Sequence, residues 1–385
     1  MAATPRILHV YKDVHPDVPG GIERHVDLLR TDVPDVRSDV LVARRGCAPT
    51  RVRQNGGEFE IAVWQVGRLL SSPLTTGYGR WARRLEPDLV HVHMPNPVGE
   101  LAVLGLDRHV PVVATYHADV VRQAWLLGAY GRLLRAILDR ADVVICGTEG
   151  LRRTSPFLAG RIGVRVIPYG VDACRFASTP LRTARARPVV IATGRLVYYK
   201  GFARLISLAK HLPADVVIVG TGPLEARLRR QAAGMPNVHL TGAVDDAELA
   251  LRLADADIFV LPSTNRAESF GLVTIEAQAA GLPAVVADVG TGTVEAVEHG
   301  VTGLVVPSDD DAALLAALTF LVDNPARRLA MGAAARHRAV ALFSADRVAA
   351  DHAAVYAEVL DARRRLADDP TIESPHTRQR ADNPG

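Results

Sequence analysis

The sequence predicts an α/β protein made of two doubly wound parallel-sheet domains facing one another across a cleft. Three observations predict it. Short, β-branched apolar runs alternate with helical patterns along almost the whole chain, the arrangement that gives parallel sheets with right-handed crossovers. The runs lack clean polar alternation, so both faces of each strand are buried. A polar, basic, Pro-flanked stretch, STPLRTARARP (Ser178–Pro188), then divides the 385 residues into two halves of similar size and suits an interdomain linker.

In the first half, strands are expected at Arg6–Val10, Asp39–Ala43, Leu89–Val92, Val112–Tyr116, Val143–Cys146 and Val164–Ile167. In the second they are expected at Val189–Ala192, Asp215–Val219, Val238–Thr241, Ile258–Leu261, Ala284–Ala287 and Gly303–Val305. Helical periodicity fills the gaps at Gly21–Thr31, Gly128–Arg140, Gly201–Lys210, Pro223–Gly234, Asp246–Ala254 and Phe270–Ala280. One grammar recurs, a helix end, then Asp, then an apolar strand. It appears in EPDLVHVH (Glu86–His93), RADVVICGT (Arg140–Thr148) and ADADIFVLPS (Ala254–Ser263). Its period is not fixed, so it is not a solenoid repeat. The segment Arg44–Leu70 matches no motif, and 366–385 has almost no large apolar residues, so a disordered tail is expected there.

Composition narrows the function classes. Hydrophobic residues are 48% and charged residues 23%, which excludes wholesale disorder and a disulfide-stapled miniprotein. The longest run without a charge or a Gly/Pro break, near Ala312–Val322, falls far short of the ~20 residues that span a bilayer. The start, MAATPRILHVYKD, reaches a charge too soon for a signal-peptide core. Cys47, Cys146 and Cys174 are odd in number and lack zinc spacing, which suits a reducing cytoplasm. Residues 1–185 hold 25 Lys+Arg against 18 Asp+Glu, and residues 186–385 hold 20 against 24, so the halves carry +7 and −4. That division either directs the first half at an acidic partner or is a random division of surface charge. Only Lys12, Lys200 and Lys210 are lysines, so a lysine inside a motif stands out.

Ligands of open α/β sheets sit beyond the carboxyl ends of the strands, and the chemistry-bearing motifs fall there. AESFGLVTIEAQAAG (Ala267–Gly281) places Glu268 and Glu276 eight residues apart. With a helix from Phe270 they lie about 12 Å apart along the axis and within about 80° around it. The backbone N–H groups of Ser269, Phe270, Gly271 and Leu272 then point out of the helix N-terminus, where a phosphate binds. The alternative is a capped amphipathic helix. GRLVYYKG (Gly194–Gly201) puts Arg195 and Lys200 in a strand-to-helix loop that can meet a diphosphate, or is a solvated basic loop. VGTGPLEARL (Val219–Leu228) has Gly220 and Gly222 of a dinucleotide fingerprint, but Glu225 stands where its third glycine belongs. PGGIERH (Pro19–His25) opens a helix with Gly20 and Gly21, either for close backbone approach to a ligand or as a plain turn. TYHADVVRQ (Thr115–Gln123) sets His117 and Asp119 just past a strand end.

Together these segments resemble the retaining glycosyltransferases of family 4, which have the GT-B fold of two Rossmann-like domains. GRLVYYKG is similar to that family's Arg/Lys diphosphate site, ESFGLVTIE to its E-x7-E motif and PGGIERH to its glycine-rich donor loop. RVIPYGVDACRF (Arg165–Phe176) and EHGVTGLVV (Glu298–Val306) support the match over residues 5–345, and TYHADVVRQ with GRLVYYKG looks most like a rhamnosyl/mannosyl-transferase subgroup. The resemblance implies an acceptor-side domain at 1–180, a nucleotide-sugar domain at 186–345 and a last helix at about 346–365 that crosses back to the first.

It also implies roles. Glu268 contacts donor-sugar hydroxyls and Glu276 holds the ribose. Arg195 and Lys200 neutralise the departing diphosphate, Gly20 and Gly21 approach it from the other side, and His117 bonds the sugar. Catalytic roles thus fall to His117, Glu268, Arg195 and Lys200; donor contacts to Gly20, Gly21, Arg195, Lys200, Gly222, Ser269, Phe270, Gly271, Leu272 and Glu276. The implied donor is a nucleotide-activated hexose, GDP-mannose favoured, with no cofactor and no metal. The implied acceptor is a saccharide or lipid-linked glycan of the cell envelope, with no nucleic acid as partner. The implied location is the cytoplasm, with an option of peripheral contact at the inner face of the plasma membrane through the first domain. Another GT-B enzyme acting on sugar nucleotides, an epimerase or phosphorylase, and a catalytically silent binding protein are the alternatives.

Three weaker signals are read structurally first. Asp255-Ala-Asp257 is a D-x-D ahead of a buried strand. His91 and His93 share a strand face without an apparent third metal ligand. Arg122–Arg140 mixes arginines with Trp125, Leu126, Leu127, Tyr130, Leu133, Leu134 and Ile137, as a core-facing helix with snorkelling arginines or as a surface for anionic lipid.

Overall fold

A computed structural model describes residues 4–15, 20–44, 49–55, 57–69, 72–120, 127–176, 187–268 and 270–368. Most of the linker stretch, the tail from 369, Trp125, Leu126, Cys47 and Ser269 lie outside the described residues.

The first lobe carries β1 (Arg6–Val10), β2 (Arg37–Arg44), β3 (Arg51–Asn55), β4 (Glu58–Trp64), a small hairpin of β5 (Gly67–Leu69) and β6 (Ser72–Leu74), β7 (Leu89–Met94), β8 (Val112–Tyr116), β9 (Val143–Cys146) and β10 (Val164–Val166). The second carries β11 (Val189–Thr193), β12 (Asp215–Val219), β13 (Val238–Gly242), β14 (Ile258–Leu261), β15 (Ala284–Asp288) and β16 (Gly303–Pro307). The helices are α1 (Gly21–Asp32), α2 (Tyr78–Arg84), α3 (Pro97–Leu104), α4 (Leu127–Arg140), α5 (Glu149–Thr154), α6 (Phe202–Ala209), α7 (Glu225–Ala232), α8 (Asp246–Asp255), α9 (Leu272–Ala279), α10 (Asp311–Asp323), α11 (Pro325–Phe343) and α12 (Ala345–Asp368).

The second sheet runs β13-β12-β11-β14-β15-β16, entirely parallel, the doubly wound order with its switch point between β11 and β14. The first sheet runs β10-β9-β8-β7-β1-β2-β4-β3, with its switch point between β1 and β7. Only its edge strand β3 is antiparallel. That edge strand, its neighbour β4 and the β5–β6 hairpin are all additions to the strands expected from the sequence. β3 reads RVRQN and is largely exposed, so it has neither a buried apolar run nor a partner legible in local sequence.

The recurrent Asp-then-strand grammar has a common structural cause. Asp88, Asp142 and Asp257 each turn a carboxylate onto the first backbone N–H of the neighbouring strand: Arg6 at 2.7 Å, Val112 at 2.8 Å and Val189 at 2.9 Å. Each satisfies an edge donor that the parallel ladder leaves over. Asp257 is therefore a strand cap.

The chain crosses between lobes a second time where α11 gives way to α12. Val171 N–H donates to Phe343 O at 2.8 Å, and Ala345 N–H returns to Val171 O at 3.0 Å. α12 then lies on the first sheet, packing Val348, Ala349, Val355, Tyr356, Val359 and Leu360 against Ile7, Leu89, Val113 and Ile145. Among the described residues no helix is long and apolar enough to cross a membrane. The apolar face of α4 is used inside the lobe, where Leu134, Ile137 and Leu138 join the core. Arg140 caps the carbonyls of Asp107 and Val110.

Candidate active site

The motif residues converge on the two switch points. Lys12 and Asp13 follow β1, Gly194–Lys200 follow β11, and Ser263–Glu268 follow β14. Between the lobes, the N-termini of α1 and α9 abut: a Cβ on Gly21 would lie 3.6 Å from Leu272 Cβ. A helix N-terminus favours an anion, and the first residues of two helices meet here.

Lys200 and Glu268 form the central pair. Lys200 Nζ lies 2.7 Å from Glu268 Oε2, with both side chains about nine-tenths buried. The same oxygen accepts from Ser263 Oγ at 3.0 Å, and Thr291 Oγ1 donates to the Glu268 carbonyl at 2.8 Å. Arg195, in the same loop as Lys200, is exposed. Tyr199, between them, is pushed up to about 12, chiefly by burial and then by the Glu268 charge.

Glu276 is buried, and burial raises its pKa against the pull of Arg24 and Arg175. Its partner comes from the other lobe. Arg24, in the PGGIERH motif, donates from Nη1 to Glu276 Oε1 at 2.7 Å and from Nη2 to Asp246. Asp246 in turn meets Arg175 Nη1 at 3.4 Å.

The helix of the E-x7-E segment starts at Leu272, two residues later than expected, after Gly271 in the left-handed region at φ 74°. A side chain there would be strained, and its Cβ would approach Leu261 Cδ2 to 2.7 Å. Glu268 thus stands in the turn before the helix, and the helical spacing assumed between the two glutamates does not apply. Phe270 points into the apolar seam between lobes, edge-on to Tyr169 at 4.9 Å and to Phe343 at 6.1 Å. Gly222 is required by packing: a Cβ would come within 2.6 Å of the Leu196 backbone N and O. Beside Gly20 the space is taken by the Glu23 carboxylate, which a Cβ would overlap.

His117 is fully buried rather than open to the cleft. Its Nε2 pairs with His93 Nδ1 at 3.1 Å and its Nδ1 with Tyr169 Oη at 2.6 Å. Contact with a sugar therefore requires one partner to be exchanged. His117 belongs to a buried group with His9, His25, His91, His93 and His352. All six are pushed below the ordinary imidazole value, first by burial; His9 and His117 fall to about 3 and His352 to about 4. Nitrogens of His9, His91 and His93 lie within 4.8 Å of one another. Yet His91 bonds the hydroxyls of Tyr356 and Thr115, both at 2.7 Å, and His93 bonds two imidazoles. Hydrogen bonds thus engage both ring nitrogens of His91 and His93 and Nδ1 of His9.

The geometry adds residues that sequence reasoning passed over. Lys12 is largely buried near Glu23, Asp13, Arg68 and Arg195, and burial lowers its pKa. Asp13 is held by both Nη atoms of Arg68. Arg24 joins the lobes. The available signals were the scarcity of lysine and the position of Lys12 two residues past the first strand; nothing local marked Arg24. Asp119 also bridges the lobes, accepting from Tyr116 Oη at 3.0 Å, Ser155 Oγ at 2.7 Å and Arg266 Nη2 at 3.2 Å.

Two doubly wound lobes with an ion-paired, switch-point cleft between them define the GT-B architecture. Residues 19–175 match the profile described as Glycosyltransferase Family 4 and residues 178–338 that of Glycosyl transferases group 1. The D-rhamnosyltransferase WbpZ of Pseudomonas aeruginosa is 32% identical over 88% of this chain and 92% of its own length. A GDP-mannose-dependent monoacylated α-(1-6)-phosphatidylinositol monomannoside mannosyltransferase of Corynebacterium glutamicum is 31% identical over 89% and 96%. Among solved structures, sucrose-phosphate synthase from Thermosynechococcus elongatus superposes with a TM-score of 0.76 at 21% identity, over 93% of this chain and all of that one. The chain belongs to the group 1 glycosyltransferases of family 4, and it is a glycosyltransferase.

Proposed function

We propose that the enzyme moves mannose from GDP-mannose to a saccharide or lipid-linked glycan, with retention of anomeric configuration. The observation that carries this reading is the Lys200–Glu268 pair at the second switch point, set beside two abutting helix N-termini. Departure of GDP builds negative charge on the diphosphate. A fixed ammonium, the exposed Arg195 and the helix ends stabilise that charge without reorganising. Glu268, tied to Lys200 and Ser263 through Oε2, is a poor nucleophile and a good acceptor for sugar hydroxyls. That favours attack on the face the leaving phosphate occupies, with the phosphate taking the acceptor proton. The sugar passes through an oxocarbenium-like state. Mannose and guanine are favoured by the relatives that transfer rhamnose and mannose.

A thermal-shift panel of GDP-mannose, UDP-glucose, UDP-N-acetylglucosamine, UDP-galactose and dTDP-rhamnose tests the donor. A donor at 100 times its Kd adds about 2.7 kcal/mol, several degrees in Tm at most. A selective rise with GDP-mannose is expected; a selective rise with a UDP-sugar overturns the choice of base.

Glu276 is read as the ribose anchor, and Arg24 pairs with its carboxylate. Glu276→Ala is expected to weaken GDP-mannose binding by roughly 1.5–3 kcal/mol, through lost charge-assisted hydrogen bonds. Calorimetric titration checks it. Unchanged affinity removes Glu276 from the donor site.

A further inference from the structure

The buried histidines include a single hydrogen-bonded file. Tyr169 Oη meets His117 Nδ1 at 2.6 Å, His117 Nε2 meets His93 Nδ1 at 3.1 Å, and His93 Nε2 meets His9 Nδ1 at 3.2 Å. The three imidazoles are fully buried, and each comes from a different strand or strand end: His9 from β1, His93 from β7, and His117 just past β8. A neutral imidazole has one donor and one acceptor, so the protons along the file all point the same way.

The two senses are not equivalent. If the file points toward Tyr169, the tyrosine proton and the His9 Nε2 lone pair both lack a partner among the described residues. If it points toward His9, Tyr169 donates, every link is filled and only the His9 Nε2–H is left over, the atom already unpartnered in the structure. Each unpaired buried group is costly, so the second sense prevails. His117 is then protonated on Nε2, and Nδ1 carries its lone pair.

We propose that His93 and His9 are positioning residues that hold His117 in this one tautomer, so that a hydroxyl of the donor sugar can replace Tyr169 as the donor to Nδ1. This rests on the reading of His117 as a sugar contact. No proton is transferred; one O–H···N bond is exchanged for another. His93 and His9 never touch the substrate, and their effect reaches it through His117 alone.

The test uses the full chain labelled with 15N-histidine. Long-range proton–nitrogen spectra distinguish protonated from bare ring nitrogens, with single-histidine variants for assignment. In the unaltered enzyme His117 is expected to show one tautomer, protonated at Nε2. In His93→Phe the His117 nitrogens are expected to average between tautomers, and kcat for GDP release from GDP-mannose to fall on the order of tenfold, the worth of about one hydrogen bond. The Kd for GDP is expected to stay within about twofold, since no contact to the nucleotide is lost. His93→Gln, whose amide accepts from one neighbour and donates to the other, is expected to restore part of kcat. His9→Phe is expected to act in the same direction, more weakly, two links away. A folded His93→Phe with one His117 tautomer, or with mixed tautomers and full kcat, overturns the proposal. Full turnover in His117→Ala instead overturns the reading of His117 on which the proposal rests, whatever the spectra show.

Discussion

Lowering the pH from 7.5 to 5 is expected to remove on the order of 10 kcal/mol of folding stability, because six buried imidazoles resist protonation that the unfolded chain accepts. The sign follows from the direction of the shifts. His9, His25, His91, His93, His117 and His352 all lie below the ordinary value in the folded state, chiefly through burial; charge on neighbouring imidazoles adds to it for His9, His25, His91 and His93, and Lys12 for His117, whereas for His352 burial is the lowering cause. Above about pH 6.5 they are neutral in both states and stability is intact. As pH falls, the unfolded chain gains protons first, and stability is lost toward the folded values, about 3 for His9 and His117 and about 4 for His352. At pH 5 each histidine contributes about 2 kcal/mol, a size set by the unfolded value once the folded one is well below it. Glu100 runs the other way, since burial raises it to about 7, and it offsets roughly one histidine.

The net loss is comparable with the whole stability of an ordinary domain, about 5–15 kcal/mol. Its location is specific. His352 and Tyr356 are on α12 and pack against His25 and His91, so acid should loosen the returning helix together with the first lobe. Urea unfolding at pH 7.5, 6 and 5 checks this, with a steep uptake of several protons below pH 6.5. Equal stability at pH 7.5 and 5 would show that these imidazoles do not titrate as a buried group.

Lys200→Ala is expected to lower kcat by about 10²–10³, the scale for removing one fixed stabiliser of developing charge. Donor affinity should fall less, because diphosphate charge grows on departure. A pure rise in KM with kcat intact would refute that role. The same substitution has a structural effect. It leaves Glu268 buried with its ammonium partner gone, and breaking such a pair costs about 3–5 kcal/mol. Lys200→Met with Glu268→Gln keeps the volume and removes both charges. That double variant is expected to recover stability without recovering turnover, separating the folding role of the pair from its chemistry. Steady-state GDP release and urea unfolding on the three proteins supply both readings.

Much of this was legible in the chain because it is local. Strands such as Val112–Tyr116 and Ile258–Leu261 are buried on both faces and announce themselves by composition. Arg195, Lys200 and Glu268 sit where any strand of a doubly wound sheet delivers its next residues, so motif and position agreed. β3 escaped because an exposed, polar edge strand has no periodic signal. The start of α9 was misplaced by two residues because Gly271 in a left-handed conformation, not apolar periodicity, decides where the helix begins.

Composition and spacing thus determined the two-lobed parallel-sheet plan and the loops that face the cleft. Tertiary structure alone decided which distant groups share charge and protons. Arg24 meets Glu276 across 252 residues, and His9 lies beside His91 because β1 and β7 pair in that register. Sequence periodicity reports which side of its own element a residue occupies. Register between strands and closure between lobes set its neighbours, and those neighbours bury His117 and attach Glu276 to the opposite lobe.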